Sequence, residues 1–367
     1  MPTSVTKIGE KLRAAREAAG LSTRVAAREA ARRGLPLSHA TLANYERGET
    51  MPTMGTISLL ASIYECPEDH LLGTAPVLTG VRYRALKSVR VRDRRHFEGE
   101  ATRWIYLCFE LEDILQETLP TPRFRAEPEE SGKALAARVR REMGLGDSPI
   151  PSVIRLLEDF GVRVVQVRSE ARIDGMAAMF GESPVIALNP VESNDRFRFN
   201  AAHELGHHLY EDWRVADEGE HGGDDRAHDF ASHLLMPDTV LEKALHGFSM
   251  VRLVRYKELF GISLAAMIYR GHGAGLISKS DYQRIWREFG RLGWRKREPG
   301  FVACDYSSRL EHLIESAVSG GRMSYRDVAR LAAVDEGVVR SRVLEAIGGQ
   351  VQRSPEPPSS ISFMGRS

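Results

Sequence analysis

The sequence predicts a mostly helical α+β protein, with a five-helix N-terminal domain, a central domain that holds a small β-sheet, and a helical C-terminal region. Three observations lead to this prediction. Apolar residues such as Ile8, Leu12 and Ala15 recur at helical spacing in the N-terminal third. The short apolar segments DGMAAMF and PVIALNP, separated by Gly-Glu-Ser, are typical of strands with a tight connection. The stretch HELGHHLYED then continues a helix that starts near Asn194.

Composition sets limits on function. The chain has 367 residues, of which 42% are apolar and 28% charged, as in ordinary globular domains. It lacks an apolar run of the ~20 residues that span a bilayer and the apolar core of a signal peptide. The cysteines Cys66, Cys108 and Cys304 form no C-x-x-C pair, which suits a reducing cytoplasm and argues against a cysteine metal site. We therefore expect a cytoplasmic protein without a membrane segment.

The N-terminal third reads as five short helices. Gly20 is expected to end the first helix, Ser22 to cap the second, and Ser38 to cap a third that runs to about Glu46. A tight turn between the second and third helices is typical of a helix-turn-helix domain. Net charge is only +1, but residues 1–50 carry nine Lys/Arg against five Asp/Glu, a local excess that favours nucleic acid.

Three segments of this domain, LRAAREAAGLS, LANYERGETMP and LLASIYECPEDHLLG, resemble the phage-repressor (Cro/C1, or XRE) type of helix-turn-helix. The resemblance implies binding of double-stranded DNA by a homodimer, with the helix after Ser38 in the major groove. It makes base-reading candidates of Ser38, His39, Thr41 and Asn44. The alternative is a five-helix domain used only for dimerisation or protein contact.

A basic segment follows, and residues 82–103 carry eight Lys/Arg against three Asp/Glu. These arginines either form a solvated helix face or contact phosphates beside the helix-turn-helix, and the solvated face is favoured because residues 104–115 look like a packed helix. The stretch TLPTPRFRAEPEESGK then reads as a linker.

The central motif is H-E-x-x-H. His203 and His207 lie four residues apart, so a helix places both on one face, and Glu204 follows the first. Two imidazoles at this spacing bind one Zn²⁺, and the adjacent carboxylate takes a proton from bound water. The alternative is a pair of surface histidines on an amphipathic helix. Nearby histidines are less probable ligands; they are His208, His221, His228 and His233.

The stretch RFRFNAAHELGHHL, followed by DDRAHDFASHLLMP, resembles the ImmA/IrrE family of metallopeptidases. The resemblance implies a zinc endopeptidase with Glu204 as general base, and it places the third ligand at Asp224, where the family normally has glutamate. Asp225 is the fallback for this ligand and His228 a weaker one. GRLGWRKREPG and the RALKS segment resemble fused regulators in which a repressor-type domain precedes this peptidase.

These observations predict a DNA-binding transcriptional regulator whose zinc peptidase domain cleaves a regulatory protein, with a helix-turn-helix repressor as one candidate substrate. An extended substrate could pair with the edge of a strand such as Val185–Leu188. The alternative is an antitoxin-like or sensory regulator whose zinc domain binds a partner, such as a toxin, without proteolysis.

The domain boundaries follow from these motifs. We expect the helix-turn-helix domain at 1–75, a helical connector and linker at 76–130, and the peptidase domain at 131–275. The helical C-terminal region at 276–350 ends in a helix pair, read as packing helices or as a degenerate helix-turn-helix, and 351–367 is expected to be a disordered tail.

Overall fold

The N-terminal domain consists of five helices. A computed structural model describes residues 4–64, 66, 68–72, 78–85, 88–120, 125–127, 129–190, 193–211, 222–305, 308–332 and 334–351, and of these the side chains of 4–7, 69–70, 222–224 and 347–351 are not described. The five helices are α1 (Ser4–Ala18), α2 (Thr23–Arg32), α3 (His39–Glu46), α4 (Met54–Tyr64) and α5 (Glu68–Leu72). They enclose a core of their own around Leu12, Leu42 and Leu60.

The predicted helix boundaries in this domain are confirmed. Gly20 follows α1 with a φ of 69°, a backbone conformation that costs glycine little. The side chain of Ser22 accepts a hydrogen bond from the amide of Val25, and that of Ser38 accepts one from the amide of Thr41. Each serine therefore satisfies an amide that would otherwise lack an intrahelical partner.

Among the described residues after α5, a strand comes first, and three more strands and a series of helices follow. In chain order they are β1 (Leu78–Ala85), α6 (Val91–Leu115), α7 (Gly132–Glu142), α8 (Val153–Asp159), β2 (Arg163–Gln166), β3 (Ile173–Phe180), β4 (Ser183–Leu188), α9 (Asn194–Tyr210), α10 (Gly222–Leu235), α11 (Asp238–Leu245), α12 (Met250–Phe260), α13 (Leu264–Gly273), α14 (Lys279–Arg291), α15 (Arg309–Ser319), α16 (Tyr325–Ala332) and α17 (Glu336–Val351). Within the described residues, no helix is both long and apolar enough to span a membrane. The predicted tail beyond residue 351 lies outside the described residues.

The four strands form one sheet in the order β1-β3-β4-β2. β3 pairs antiparallel with both β1 and β4, and β2 lies parallel to β4. Because β4 has a neighbour on each side, its backbone groups are occupied, and the prediction that Val185–Leu188 offers an edge for a substrate is wrong. The end strands are β1 and β2, and β1 was not predicted, since residues 76–130 were read as helix and linker.

Side chains alternate across this sheet, and both faces are covered. Val185 and Ala187 pack into one core with α6 and α15–α17. Ile186 and Leu188 pack into the other core with α7–α14. The alternation follows from the two-residue period of a strand. The connector helix α6 and the C-terminal helices therefore form one layer against the sheet, and α16 and α17 pack within it.

A buried carboxylate ties this layer together. Glu112 of α6 accepts hydrogen bonds from Arg163 of β2 at 2.9 Å and from Arg309 of α15 at 2.9 Å. The side chain of Glu112 is almost fully buried. Removal of either arginine would therefore leave the charge of the Glu112 carboxylate less well compensated in the protein interior. The two arginines lie 51 and 197 positions after Glu112 in the chain, so the three residues fix the layer to the end strand β2.

Candidate metal centre and adjoining cleft

Helix α9 carries the H-E-x-x-H residues through the centre of the molecule. Its side chains Ala201, Ala202 and Leu205 are buried in the core beneath the sheet, which fixes the rotation of the helix about its own axis. This rotation places His203, Glu204 and His207 in the interior, with exposed fractions of 1%, 2% and 9%. Helix α9 begins at Asn194, where the sequence predicted its start, with Ser193 as the N-cap.

The two motif histidines face each other. Nε2 of His203 lies 3.1 Å from Nε2 of His207, and the two rings are nearly perpendicular at 83°. Two Zn–N bonds of tetrahedral geometry hold their nitrogens roughly 3.3 Å apart. The spacing and the chemistry of the pair, two imidazoles with a carboxylate next in sequence, therefore fit a zinc ion.

His208 points to the other side of α9. Its Nε2 donates a hydrogen bond to the carbonyl of Val185 in β4 at 3.2 Å. Burial, with a smaller contribution from the neighbouring His207, lowers the pKa of His208 to about 4. A neutral ring that donates to the sheet positions α9 under β4, a structural role for this histidine.

The third ligand was expected from α10, which packs along α9 through Ala227 and Phe230. Asp224 lies in the first turn of this helix, and its side chain is outside the described residues, as is His221. Among the side chains that the structure describes, no three His, Cys, Asp or Glu residues converge as a metal site. Asp225, the fallback ligand, is exposed.

The other histidines of α10 are placed differently. The ring centroid of His228 lies 6.3 Å from that of His203 and 4.8 Å from that of Phe199, so His228 borders the motif pair. His233 is held away from it, with Nδ1 3.0 Å from Asp229 and Nε2 3.3 Å from Asp238.

A cleft of about 860 Å³ opens beside the motif. Phe199 and His228, whose ring centroids each lie 6.3 Å from that of His203, line the cleft together with Lys296, Arg297 and Phe301. Sequence reasoning missed these last three, although the basic run in GRLGWRKREPG marked the segment. The volume is in the range of small-molecule and peptide sites.

Arg84, at the end of β1, also lines the cleft. Its guanidinium lies 5.6 Å from the centre of the Phe199 ring and 3.6 Å from Asp174, which in turn binds Arg196 at 2.8 Å. At least one arginine of the basic segment is therefore neither a solvated helix residue nor near the helix-turn-helix, because it sits on a strand at the cleft.

Two buried ion pairs fix the first turns of α9. Arg198 binds Asp305 at 2.7 Å, and the same carboxylate accepts from the amide of Val153 at the start of α8. Lys257 of α12 lies 3.3 Å from Asp195 and 2.8 Å from Glu298. These pairs anchor α9 to segments on either side in sequence, so they hold the helix that carries the histidines.

In the N-terminal domain, the candidate DNA-reading residues lie on α3. Ser38 and His39 are exposed, and Thr41 and Asn44 are half-buried. The hydroxyls of Ser38 and Thr41 hydrogen-bond each other at 2.8 Å, and Oδ1 of Asn44 accepts from Arg47 at 2.6 Å. His39 and the first turn of the helix are thus the part of this face most open to a ligand.

The end of α3 is fixed by a buried ion pair. Arg16 of α1 donates from Nε and Nη2 to the two carboxylate oxygens of Glu46, at 2.6 and 2.8 Å. A bidentate pair of this kind sets orientation as well as distance. The angle of α3 is therefore determined by α1.

Comparison with known families assigns two segments of the chain. Residues 7–72 match the model of a helix-turn-helix domain, HTH_31, and residues 157–272, which include α9 and α10, match the IrrE N-terminal-like domain, Peptidase_M78. No curated protein matches the chain. Residues 7–72 are therefore a helix-turn-helix domain and residues 157–272 an IrrE N-terminal-like, metallopeptidase-like domain, a combination that supports a DNA-binding regulator with a protease-like domain.

Proposed function

We propose that this protein is a zinc-dependent endopeptidase that cleaves a regulatory protein. The N-terminal domain brings the peptidase to specific DNA sites. One observation supports the catalytic part above all. The His203 and His207 nitrogens lie 3.1 Å apart, with the buried Glu204 next to His203 in sequence, and Phe199 and His228, whose rings lie against His203, line an open cleft. This is the donor set and the access that a hydrolytic zinc site requires.

The proposed ligands are His203, His207 and Asp224. Two neutral imidazoles and one carboxylate are a donor set that catalytic zinc commonly takes in proteins. When bound there, Zn²⁺ would lower the pKa of a coordinated water and polarise the scissile carbonyl.

The protein's own residues would transfer the proton and bind the substrate. Glu204 accepts a proton from the attacking water and passes it to the nitrogen of the leaving amine. Phe199 lines the approach to the histidines with apolar surface. An extended substrate would add to the outer edge of β1, an end strand whose last residues, at Arg84, reach the cleft.

The DNA-binding part of the proposal assigns base contacts to Ser38, His39, Thr41 and Asn44, on a homodimer bound to a two-fold site. The substrate would be a repressor with its own helix-turn-helix or another regulatory protein. Enzyme, substrate and DNA would all be in the cytoplasm.

A second function is favoured by a single residue. Asp224 is one methylene shorter than the glutamate that the resembled family normally has at the ligand position. A weakened third ligand would suit an antitoxin-like or sensory regulator whose zinc domain binds a partner, such as a toxin, without turnover.

The substitution Glu204→Gln separates the two functions. The amide keeps the shape of the side chain but cannot take up the proton, so zinc should stay and cleavage should fall by orders of magnitude. Zinc content and the intact mass of co-expressed repressors would be measured, with the exposed Glu182→Gln as control. In cells, a peptidase predicts that Glu204→Gln behaves as a deletion; wild-type regulation by this variant would exclude cleavage as the mechanism.

A further inference from the structure

The helix-turn-helix domain rests directly on the connector helix. Nδ1 of His96 in α6 donates to the carbonyl of Ala18 at 3.1 Å, and Arg95 binds Glu17 at 2.8 Å. A Cβ added at Gly99 would lie 2.2 Å from the Cβ of Ala18, so the two backbones are in contact there. The position of the DNA-binding domain relative to the rest of the chain thus depends on the short, tightly packed contact where α1 crosses α6.

A cavity of about 180 Å³ lies beside this crossing. Its walls come from α1, the end of α4, α6 and α16, that is, from the DNA-binding domain and from the layer behind the sheet. Ala14, Tyr106, Leu331 and Ala332 give it a largely apolar surface. A cavity of roughly 150 Å³ holds benzene, so this one has room for a molecule with a single ring.

One polar group in the wall, the hydroxyl of Tyr64, lacks a hydrogen-bond partner among the described residues. The Tyr64 side chain is 1% exposed, and within the described residues its hydroxyl makes no hydrogen bond. Burial, reinforced by nearby Glu46, raises the pKa of Tyr64 well above its usual value, so the hydroxyl keeps its proton. Buried polar groups are nearly always paired, and the Tyr64 side chain that carries this hydroxyl lines the cavity.

Five of the six charged side chains around the cavity have partners. Arg13 and Arg95 both bind Glu17, Arg103 binds Glu100, and Glu98 accepts from the hydroxyl of Tyr83. With Glu10, the lining contains three arginines and three glutamates, so it carries no net charge for an ionic ligand. Burial raises the pKa of the Cys66 thiol in the wall to about 12, so it stays protonated and a covalent adduct is not expected.

We propose that this cavity is an effector site for a small, neutral, mostly apolar molecule that hydrogen-bonds the Tyr64 hydroxyl. Because its walls belong to both the DNA-binding domain and the rest of the chain, occupancy changes how α1 sits on α6 and thereby the affinity for DNA. A ligand shifts the equilibrium between two arrangements of α1 on α6 to the extent that it binds one arrangement better than the other. The site requires neither zinc nor proteolysis, so the proposal stands apart from the peptidase function.

Binding is tested by calorimetric titration of the full-length chain with phenol and with toluene as a matched apolar probe. We expect one site in the millimolar range or tighter, with phenol preferred. Ala14→Leu fills the cavity and should abolish binding, whereas Ala137→Leu, the same change on an exposed position of α7, should not. Tyr64→Phe should reduce the preference for phenol about three- to tenfold, the worth of one hydrogen bond.

Coupling to DNA is tested by fluorescence anisotropy with a duplex selected from a random library. Phenol should change the DNA affinity of the wild type and of Ala137→Leu, and leave that of Ala14→Leu unaltered. The absence of saturable phenol binding, or equal binding by wild type and Ala14→Leu, overturns the site and leaves water as its occupant. Binding that leaves DNA affinity unchanged overturns the effector role.

Discussion

Gly206 of α9 lies against Ala227 of α10, so closely that a Cβ on residue 206 would come within 3.0 Å of the Ala227 Cα and 3.1 Å of the Phe230 ring. Gly206 is part of the H-E-x-x-H segment, directly before His207. The absence of a side chain there lets α10 approach the helix that carries the histidines. The position of the proposed third ligand is thus set by this contact.

The first prediction concerns this glycine. Gly206→Ala should lower the thermal midpoint, because overpacking against a backbone atom costs about 1–3 kcal/mol, more than the roughly 1 kcal/mol that alanine adds to a helix. Gly273→Ala, in α13 with open space around it, should not lower the midpoint. Thermal unfolding followed by circular dichroism would give the midpoint of each variant. An equal decrease of the midpoint in both variants would contradict the close contact at Gly206. Zinc affinity should fall in Gly206→Ala alone.

The second prediction concerns the metal. We expect roughly one zinc per chain, as for a single tetrahedral site, and its loss in His203→Ala. His246→Ala, a surface histidine on the same domain, is the matched control. Elemental analysis of the purified variants measures the zinc content per chain. Full zinc retention by His203→Ala would contradict the proposed zinc site.

The same analysis identifies the third ligand. Asp224→Ala should lose zinc affinity and Asp225→Ala should keep it, and the reverse result would move the ligand to Asp225. In Asp224→Glu, we expect zinc to remain bound, since either carboxylate ligates zinc. Raised cleavage by that variant would mark the native aspartate as a weakened ligand.

The third prediction concerns DNA. Thr41→Ala and Asn44→Ala should each weaken binding to a selected duplex by about 1–3 kcal/mol and leave binding to unrelated duplexes unaltered, because base contacts carry specificity. Thr239→Ala, on the far helix α11, serves as control. Binding to all duplexes should weaken steeply with salt. If both variants bind every sequence as the wild type does, α3 is not the reading helix.

The fourth prediction concerns acid stability. The pKa of His208 is lowered from 6.5 to about 4 in the folded protein, so the neutral ring stabilises the fold above pH 6.5, and this contribution is lost as the pH falls toward 4. His208→Gln cannot titrate, and its stability should therefore decline less between pH 7 and pH 5. Urea denaturation with a chelator present keeps metal-ligand protonation out of the comparison. Parallel decline of the two proteins would show that folding does not lower the pKa of His208.

Much of the helical structure was readable from local signals. Ser22, Ser38 and Ser152 cap the predicted helices, and PVIALNP and DGMAAMF form paired strands. The H-E-x-x-H spacing likewise predicted the juxtaposition of His203 and His207. Each of these features depends on residues a few positions apart.

Long-range contacts could not be read in this way. The alternation of Val81, Tyr83 and Ala85 in β1 is hidden among arginines, and the strand is stabilised by β3, which lies about 95 residues later. The cleft wall at residues 296–301 also reaches α9 from about a hundred residues away. Neither pairing leaves a periodic signal, because the partners are chosen by tertiary packing and not by neighbours in sequence.

The layer shared by α6 and α15–α17 has a consequence for synthesis of the protein. Domains fold on the ribosome from the N-terminus, and the helix-turn-helix domain, with its own core, can do so early. The core on one face of the sheet must wait, since α6 supplies only part of the cover over Val185 and Ala187 and the rest comes from residues 310–343. A premature stop codon just before residue 309 would therefore yield a chain with a folded DNA-binding domain and an incompletely covered apolar core, prone to aggregation.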